Sequence, residues 1–329
     1  MPLQTFQDTL EQLEAGEQPS ILLANGFSRA WNNRTFNYEN LFDEANFRDS
    51  DRELREVFDR FDTFDFEKVM HALQSAEQVC ETYGVNRGII EQIQDDQEQL
   101  KDSLIEVIAN THPHRPGLVT DDRFTSTRRF LTCFSNIFSL NYDLLLYWAV
   151  NKWNLPPFRP DRWCGMKDGF NGNEWQQRTQ NLHFLHGGLH LYNNEHGIYK
   201  RVYDQEDWDA IVDQVRRWLD AGEFPLFVSE PTYQKKLEKI KHNPYLNACY
   251  QALGDLRGTL YIHGHSIADN DRHIFDQINR SRVNKVFISI FGDENQEWNR
   301  EAMANANRFI VRGIDIEFYD AATAPIWQQ

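Results

Sequence analysis

Short apolar runs of strand length alternate with amphipathic stretches of helical period along most of the chain. Runs at 21–24, 136–140, 182–186, 225–228, 259–263, 285–290 and 314–319 are rich in Ile, Leu, Val and Phe. Continuous apolar runs of that length predict strands buried on both faces. Their alternation with helical patterns predicts an α/β fold, a Rossmann-like, mostly parallel sheet with helices on both sides. The pattern breaks once. From about 40 to 118 the sequence is charged and of helical period: Phe66, Val69, Met70, Leu73, Val79 and Cys80 mark one apolar face, and Ile89, Ile90, Ile93, Leu100, Leu104, Ile105 and Ile108 mark another. This predicts a helical insertion after the first strand. The chain then divides into 1–39 (first strand and nucleotide loop), 40–118 (insertion) and 119–329 (the rest of the α/β domain).

Punctuation residues refine the picture. Gly84 and Gly88 bracket the join between the two longest helices of the insertion, and the breaker-rich 111–117 closes it. Asp95, Asp96 and Glu98 read as a solvated acidic face. The Pro-, Gly-, Trp- and Arg-rich segment 156–180 reads as an irregular loop able to close over a crevice. Segments 189–192 and 198–202 flank a polar turn and read as a hairpin.

Composition narrows the function classes. A chain of 329 residues with 40% hydrophobic content can build a sizeable core, and its net charge of -16 argues against sequence-independent binding of nucleic acid or anionic membrane. The four cysteines, Cys80, Cys133, Cys164 and Cys249, are too scattered for a zinc ribbon or a local disulfide framework. With no apolar run long enough to span a bilayer and a polar amino terminus, the chain reads as a soluble cytoplasmic protein.

The chemistry-bearing residues gather where strands end. The first strand runs into Ala24, Asn25, Gly26, Phe27 and Ser28, a strand–glycine–helix junction of the kind that cradles phosphate, with Ser28 suited to capping. A plain tight turn is the competing reading. Further strands end in Asn141-Tyr142-Asp143, His186-Gly187, Ser229-Glu230, Gly264-His265-Ser266 with Asp269 beyond, and Phe291-Gly292-Asp293. In an open α/β sheet such endings line the crevice that takes the ligand. Histidines concentrate in the second half (His183, His186, His190, His263, His265, His273), but none follows a metal-ligand spacing, and no catalytic metal is expected. Ser229 and Ser266 lack a nucleophile elbow.

Taken in order, Leu23-Ala24-Asn25-Gly26-Phe27-Ser28, Asn141-Tyr142-Asp143, His186-Gly187 and Gly264-His265-Ser266-Ile267-Ala268-Asp269 resemble the sirtuin-like fold of bacterial defence-associated NAD-consuming proteins. The resemblance implies Asn141 as catalytic asparagine, His186 as catalytic histidine and Asp143 as their acidic partner. It implies Ala24, Asn25, Gly26, Phe27, Ser28, Ser229, Glu230, Gly264, His265, Ser266 and Asp269 as cofactor-binding residues. The four-cysteine module of sirtuin deacylases has no counterpart here, so what the resemblance implies is an NAD glycohydrolase acting in antiviral defence by depleting NAD, restrained through a homo-oligomer or an activating partner. A non-catalytic nucleotide sensor or regulatory subunit of the same fold is the alternative.

The residue types suit that chemistry. Breaking the nicotinamide–ribose bond develops positive charge on the sugar, so the site must orient ribose and admit one water. Asn141 can orient it without a net charge to desolvate, His186 can accept a proton, and Asp143 can stabilise the cation. Each also has a plainer reading: turn former, core histidine and helix cap respectively.

Overall fold

The computed structural model describes residues 3–36, 38–152, 167–172, 174–176, 180–194, 197–201, 211–220, 223–230, 232–311 and 313–328. The strands in chain order are β1 (Ser20–Leu23), β2 (Asn136–Ser139), β3 (Phe170–Asn171), β4 (Glu174–Trp175), β5 (Leu182–Phe184), β6 (Leu191–Asn194), β7 (Gly197–Lys200), β8 (Arg257–His263), β9 (Arg282–Ile290) and β10 (Asp315–Asp320). Six of them form one sheet in the order β10-β9-β8-β1-β2-β5, and every pairing in it is parallel. Read from β5 and ranked by chain order, that is 3-2-1-4-5-6, the arrangement of doubly wound dinucleotide-binding sheets. The chain reverses direction across the sheet between β1 and β8. Leu22 of β1 sits between Phe138 of β2 and Ile262 of β8, and all three are fully buried.

Six of the seven expected strands lie in this sheet. The exception is 225–228, where Phe227 makes only an isolated antiparallel bridge to Gly187. The Val228 N–H donates to the His186 carbonyl at 2.9 Å, so this apolar segment covers the strand ends instead of joining the sheet. Its burial comes from that covering role, which a run of apolar residues cannot distinguish from strand burial. The expected hairpin is present as β6 and β7, in a small antiparallel sheet of order β3-β4-β7-β6. The part of the expected loop from 156 to 166 lies outside the described residues.

Between β1 and β2 the chain is helical, with Phe66–Thr82 and Arg87–Thr111 as its longest elements. Gly84, at φ +64°, makes the turn between them, and His112 ends the second. Phe42, Phe47, Phe58 and Phe66 pack ring against ring, with Phe42–Phe58 centroids 4.7 Å apart and Phe58–Phe66 centroids 5.2 Å apart. This cluster is continuous with the core under the sheet. Asp96 departs from the expected solvated face. It is buried and accepts hydrogen bonds from Ser50 Oγ and Gln92 Nε2, which tie the insertion's own segments together. No described helix is long and apolar enough to cross a membrane.

Candidate functional site

At the crossover point the loops after β1 and β8 touch backbone to backbone. Gly26 N–H donates to the Gly264 carbonyl at 2.9 Å, and Ala24 N–H to the His263 carbonyl at 3.0 Å. A Cβ on Gly26 would lie 2.4 Å from Gly264 Cα, and Gly264 itself adopts φ +74°. The glycines are therefore required by close mutual approach. This corrects the expected cradle in one respect: the Gly26 N–H is committed to Gly264 and does not face an anion. Ser28 is likewise not a cap. Helix Asn25–Trp31 is capped by Ala24, and Ser28 lies within it, fully buried. Asn25 Nδ2 donates to the Phe36 carbonyl at 3.2 Å, and Phe27 packs on Trp327 with ring centroids 5.2 Å apart.

Ser28 joins the two polar residues that follow β2. Its hydroxyl donates to the Asp143 carboxylate and accepts from Asn141 Nδ2 at 2.8 Å. The other Asp143 oxygen accepts the Leu145 N–H at 2.8 Å, opening helix Leu145–Asn151. Burial pushes the Asp143 carboxyl up, with the Ser28 and Leu145 hydrogen bonds pulling the other way. Asp143 is not the helix cap of the plainer reading, since Leu144 holds the N-cap position; its carboxylate accepts the N–H of the helix's first residue and, through Ser28, fixes the Asn141 amide.

His186 follows β5 and belongs to a second cluster. Its Nε2 lies 3.2 Å from His273 Nε2 and 3.9 Å from Asp271 Oδ1. Asp271 also receives Lys236 Nζ at 2.9 Å and His265 Nε2 at 3.2 Å. His265 Nδ1 accepts the Ile267 N–H at 2.7 Å, so its proton is on Nε2 and is donated to Asp271. Burial holds the His186 imidazole well below its ordinary pKa, opposed by Asp271, and brings His273 down to about 4. Burial alone would raise the Asp271 carboxyl, but Lys236 and His265 keep it well below the usual range. The Tyr142 ring lies nearly parallel to His186, with centroids 6.4 Å apart.

Asn141 and His186 therefore sit at the ends of adjacent strands, on the same edge of the sheet, but in separate hydrogen-bonded clusters. Both are covered, at 8% and 2% exposure. The other expected ligand contacts scatter. Ser229 is buried beneath Phe66, Met70, Leu100 and Leu104 of the insertion, with no partner for its hydroxyl. Glu230 pairs with Lys239 at 2.7 Å. Ser266 is exposed, and Asp269 lines a cleft of ≈ 980 Å³ between the insertion helix Phe66–Thr82, the start of helix Tyr233–His242 and helix Glu297–Phe309. The insertion thus lies over the strand ends, where Gln74 also accepts from Lys235 Nζ at 2.8 Å.

From the sequence alone, Lys236, Asp271 and His273 have no role in the site, and His273 is weighed only as a metal ligand. Lys236 carried one usable signal: it stands four residues before buried Ile240 on the inner face of its helix, where an unpaired lysine would be costly. His186, Asp271 and His273 are the one group among the described residues whose ligand atoms, all within 4.8 Å, could hold a metal ion. The Lys236 ammonium already occupies the cation position beside Asp271. A divalent ion and an ammonium about 4 Å apart repel by on the order of 8 kcal/mol at an effective dielectric of about 20, so the cluster reads as an ion pair with histidines.

The strand order defines an α/β protein built on a Rossmann-like, parallel six-stranded sheet. The chain belongs to a family described as a domain of unknown function, DUF4917, whose model matches residues 21–327. A search of curated proteins finds no match.

Proposed function

We propose that this chain hydrolyses NAD, releasing nicotinamide and ADP-ribose, at the carboxyl ends of β1, β2, β5 and β8. The observation that carries the reading is the strand order 3-2-1-4-5-6, with Asn141 and His186 ending neighbouring strands beside the crossover. In the proposed reaction water oxygen bonds to the anomeric carbon. The bond to the nicotinamide nitrogen breaks with its electron pair leaving on nicotinamide, and the surplus water proton passes to His186 and then to solvent. Asn141, its amide held by Ser28, orients the ribose or the water. Depletion of NAD by such an enzyme fits a role in antiviral defence, and an activity toxic to its own cell requires restraint. The covered state of Asn141 and His186 suits that requirement, and among the described residues the 225–230 segment, bonded to the His186 carbonyl through Val228 N–H, lies over these strand ends.

Incubating the purified chain with NAD and following nicotinamide by chromatography tests this. Release that is lost in Asn141→Ala supports it; release unchanged in that variant removes Asn141 from the mechanism. The same covered state favours one other reading, a nucleotide sensor that binds without hydrolysis. Saturable NAD binding with no nicotinamide released under any partner or oligomeric state would select it.

A further inference from the structure

The cluster around His186 holds more than a lone base requires. Its Nε2 faces inward, toward His273 Nε2 at 3.2 Å and Asp271 Oδ1 at 3.9 Å, so Nδ1 is the nitrogen left for substrate. To accept a proton there, the neutral ring must carry its hydrogen on Nε2. The neighbours pull in opposite directions. His273 Nδ1 is buried with no partner. If His186 Nε2–H donates to His273 Nε2, the His273 hydrogen is forced onto that partnerless Nδ1, and a buried N–H without an acceptor is unfavourable. Left alone, the pair would adopt the reverse arrangement, with His273 donating and His186 carrying its hydrogen on Nδ1, unable to act as a base. The Asp271 carboxylate opposes this, since an anion beside His186 Nε2 favours an N–H over a bare lone pair. Lys236 and His265 hold that carboxylate ionised and in place.

We propose that Asp271 is a positioning residue that sets the tautomer of His186, with Lys236 and His265 fixing Asp271 and His273 receiving the inward hydrogen. This rests on the hydrolase reading for its catalytic consequence, while the tautomer itself is independent of it. The acidic partner of the histidine is then Asp271, on the loop after β8, and not Asp143. When His186 takes the proton during hydrolysis, Asp271 also balances the buried imidazolium.

The test uses full-length chain labelled with ¹⁵N-histidine and long-range ¹H–¹⁵N correlation, which reports the protonated ring nitrogen directly, alongside nicotinamide release. In the wild type the hydrogen is expected on His186 Nε2 and on His273 Nδ1. In Asp271→Asn it moves to His186 Nδ1, kcat falls about 100-fold with KM within about threefold, and the acid limb of the rate profile moves to lower pH because an anion has been removed. Asp271→Glu restores both readouts. Should Asp271→Asn fail to fold with Lys236 left unpaired, Lys236→Met/Asp271→Asn removes both charges and is expected to show the same tautomer change. A wild-type hydrogen on His186 Nδ1, or a tautomer unmoved in these variants, overturns the proposal. A wild type with the expected tautomer and no nicotinamide release in any partner or oligomeric state refutes the hydrolase reading and leaves the tautomer assignment standing; release unaffected by Asp271→Asn refutes the positioning role and leaves the hydrolase.

Discussion

Replacing Gly26 by alanine probes the contact on which the sheet edge is built. Gly26 is in a helix, so propensity alone would favour alanine by about 1 kcal/mol. Against this, the new Cβ would meet Gly264 Cα at 2.4 Å and Gly264 O at 3.1 Å. These are backbone atoms, which cannot rotate away as a side chain would. Relieving the overlap means separating the β1 and β8 loops, at about 1–3 kcal/mol for overpacking. Lengthening the Gly26–Gly264 hydrogen bond costs about 1 kcal/mol more. The overlap wins, and a net loss on the order of 1–3 kcal/mol is expected, which is several degrees in Tm at about 2–4 °C per kcal/mol. Gly264→Ala meets Gly26 Cα at 2.5 Å and in addition places a side chain at φ +74°, so it should be worse by about 1 kcal/mol. Thermal and urea unfolding of the two single variants measure both. A Gly26→Ala protein as stable as wild type, or more stable, would show that the two loops do not pack as described.

Two further outcomes follow from buried groups elsewhere. His112, His183 and His263 are each brought by burial to about 4, and His190 to about 3, from an ordinary 6.5. The unfolded chain therefore binds protons first as pH falls, so stability is full above about pH 6.5 and is lost toward pH 4. At pH 5 each contributes on the order of 2 kcal/mol of loss, and together they rival a typical folding free energy of about 5–15 kcal/mol; the raised Asp143 carboxyl acts in the opposite direction but is a single group. Circular dichroism should show cooperative acid unfolding above about pH 4.5, and a native signal retained at pH 4 would refute the burial argument. At the other end of the chain, the Trp327 indole N–H donates to the Phe27 carbonyl at 2.9 Å, with its ring against Phe27 and Phe124. Trp327→Ala should cost about 3–5 kcal/mol, and a denaturant midpoint shifted by less than a third of that would mean the tail does not brace the first loop.

Much of the architecture was legible in the sequence because it is written in local periodicity. Apolar runs such as Ile21-Leu22-Leu23 and Val286-Phe287-Ile288 predict buried strands, and the helical faces of the insertion stand out against them. Strand order was not legible, since the pairing of β1 with β8 joins segments more than two hundred residues apart and leaves no local trace. For the same reason the sequence suggested Asn141, Asp143 and His186 as one constellation, whereas three-dimensional pairing gives Asp143 to Ser28 and Asp271 to His186. Ser229 and Glu230 looked like ligand contacts because they end an apolar run. In the fold that run bridges to Gly187, which leaves Ser229 beneath the insertion with no partner for its hydroxyl and Glu230 paired with Lys239. The insertion's position over the strand ends is a tertiary fact that its own amphipathic pattern could not report.

The proposed hydrolase requires a dinucleotide held across the β1–β8 crossover with its nicotinamide ribose between Asn141 and His186. A crystal structure of the Asn141→Ala chain grown with NAD addresses it most directly, because that variant should bind without turning over. Nucleotide density is expected above the Gly26 and Gly264 loops, with the ribose facing position 141 and His186 Nδ1 and the 225–230 segment displaced. Nucleotide seated elsewhere, for instance in the cleft beside Asp269, with the strand ends still covered, would contradict it.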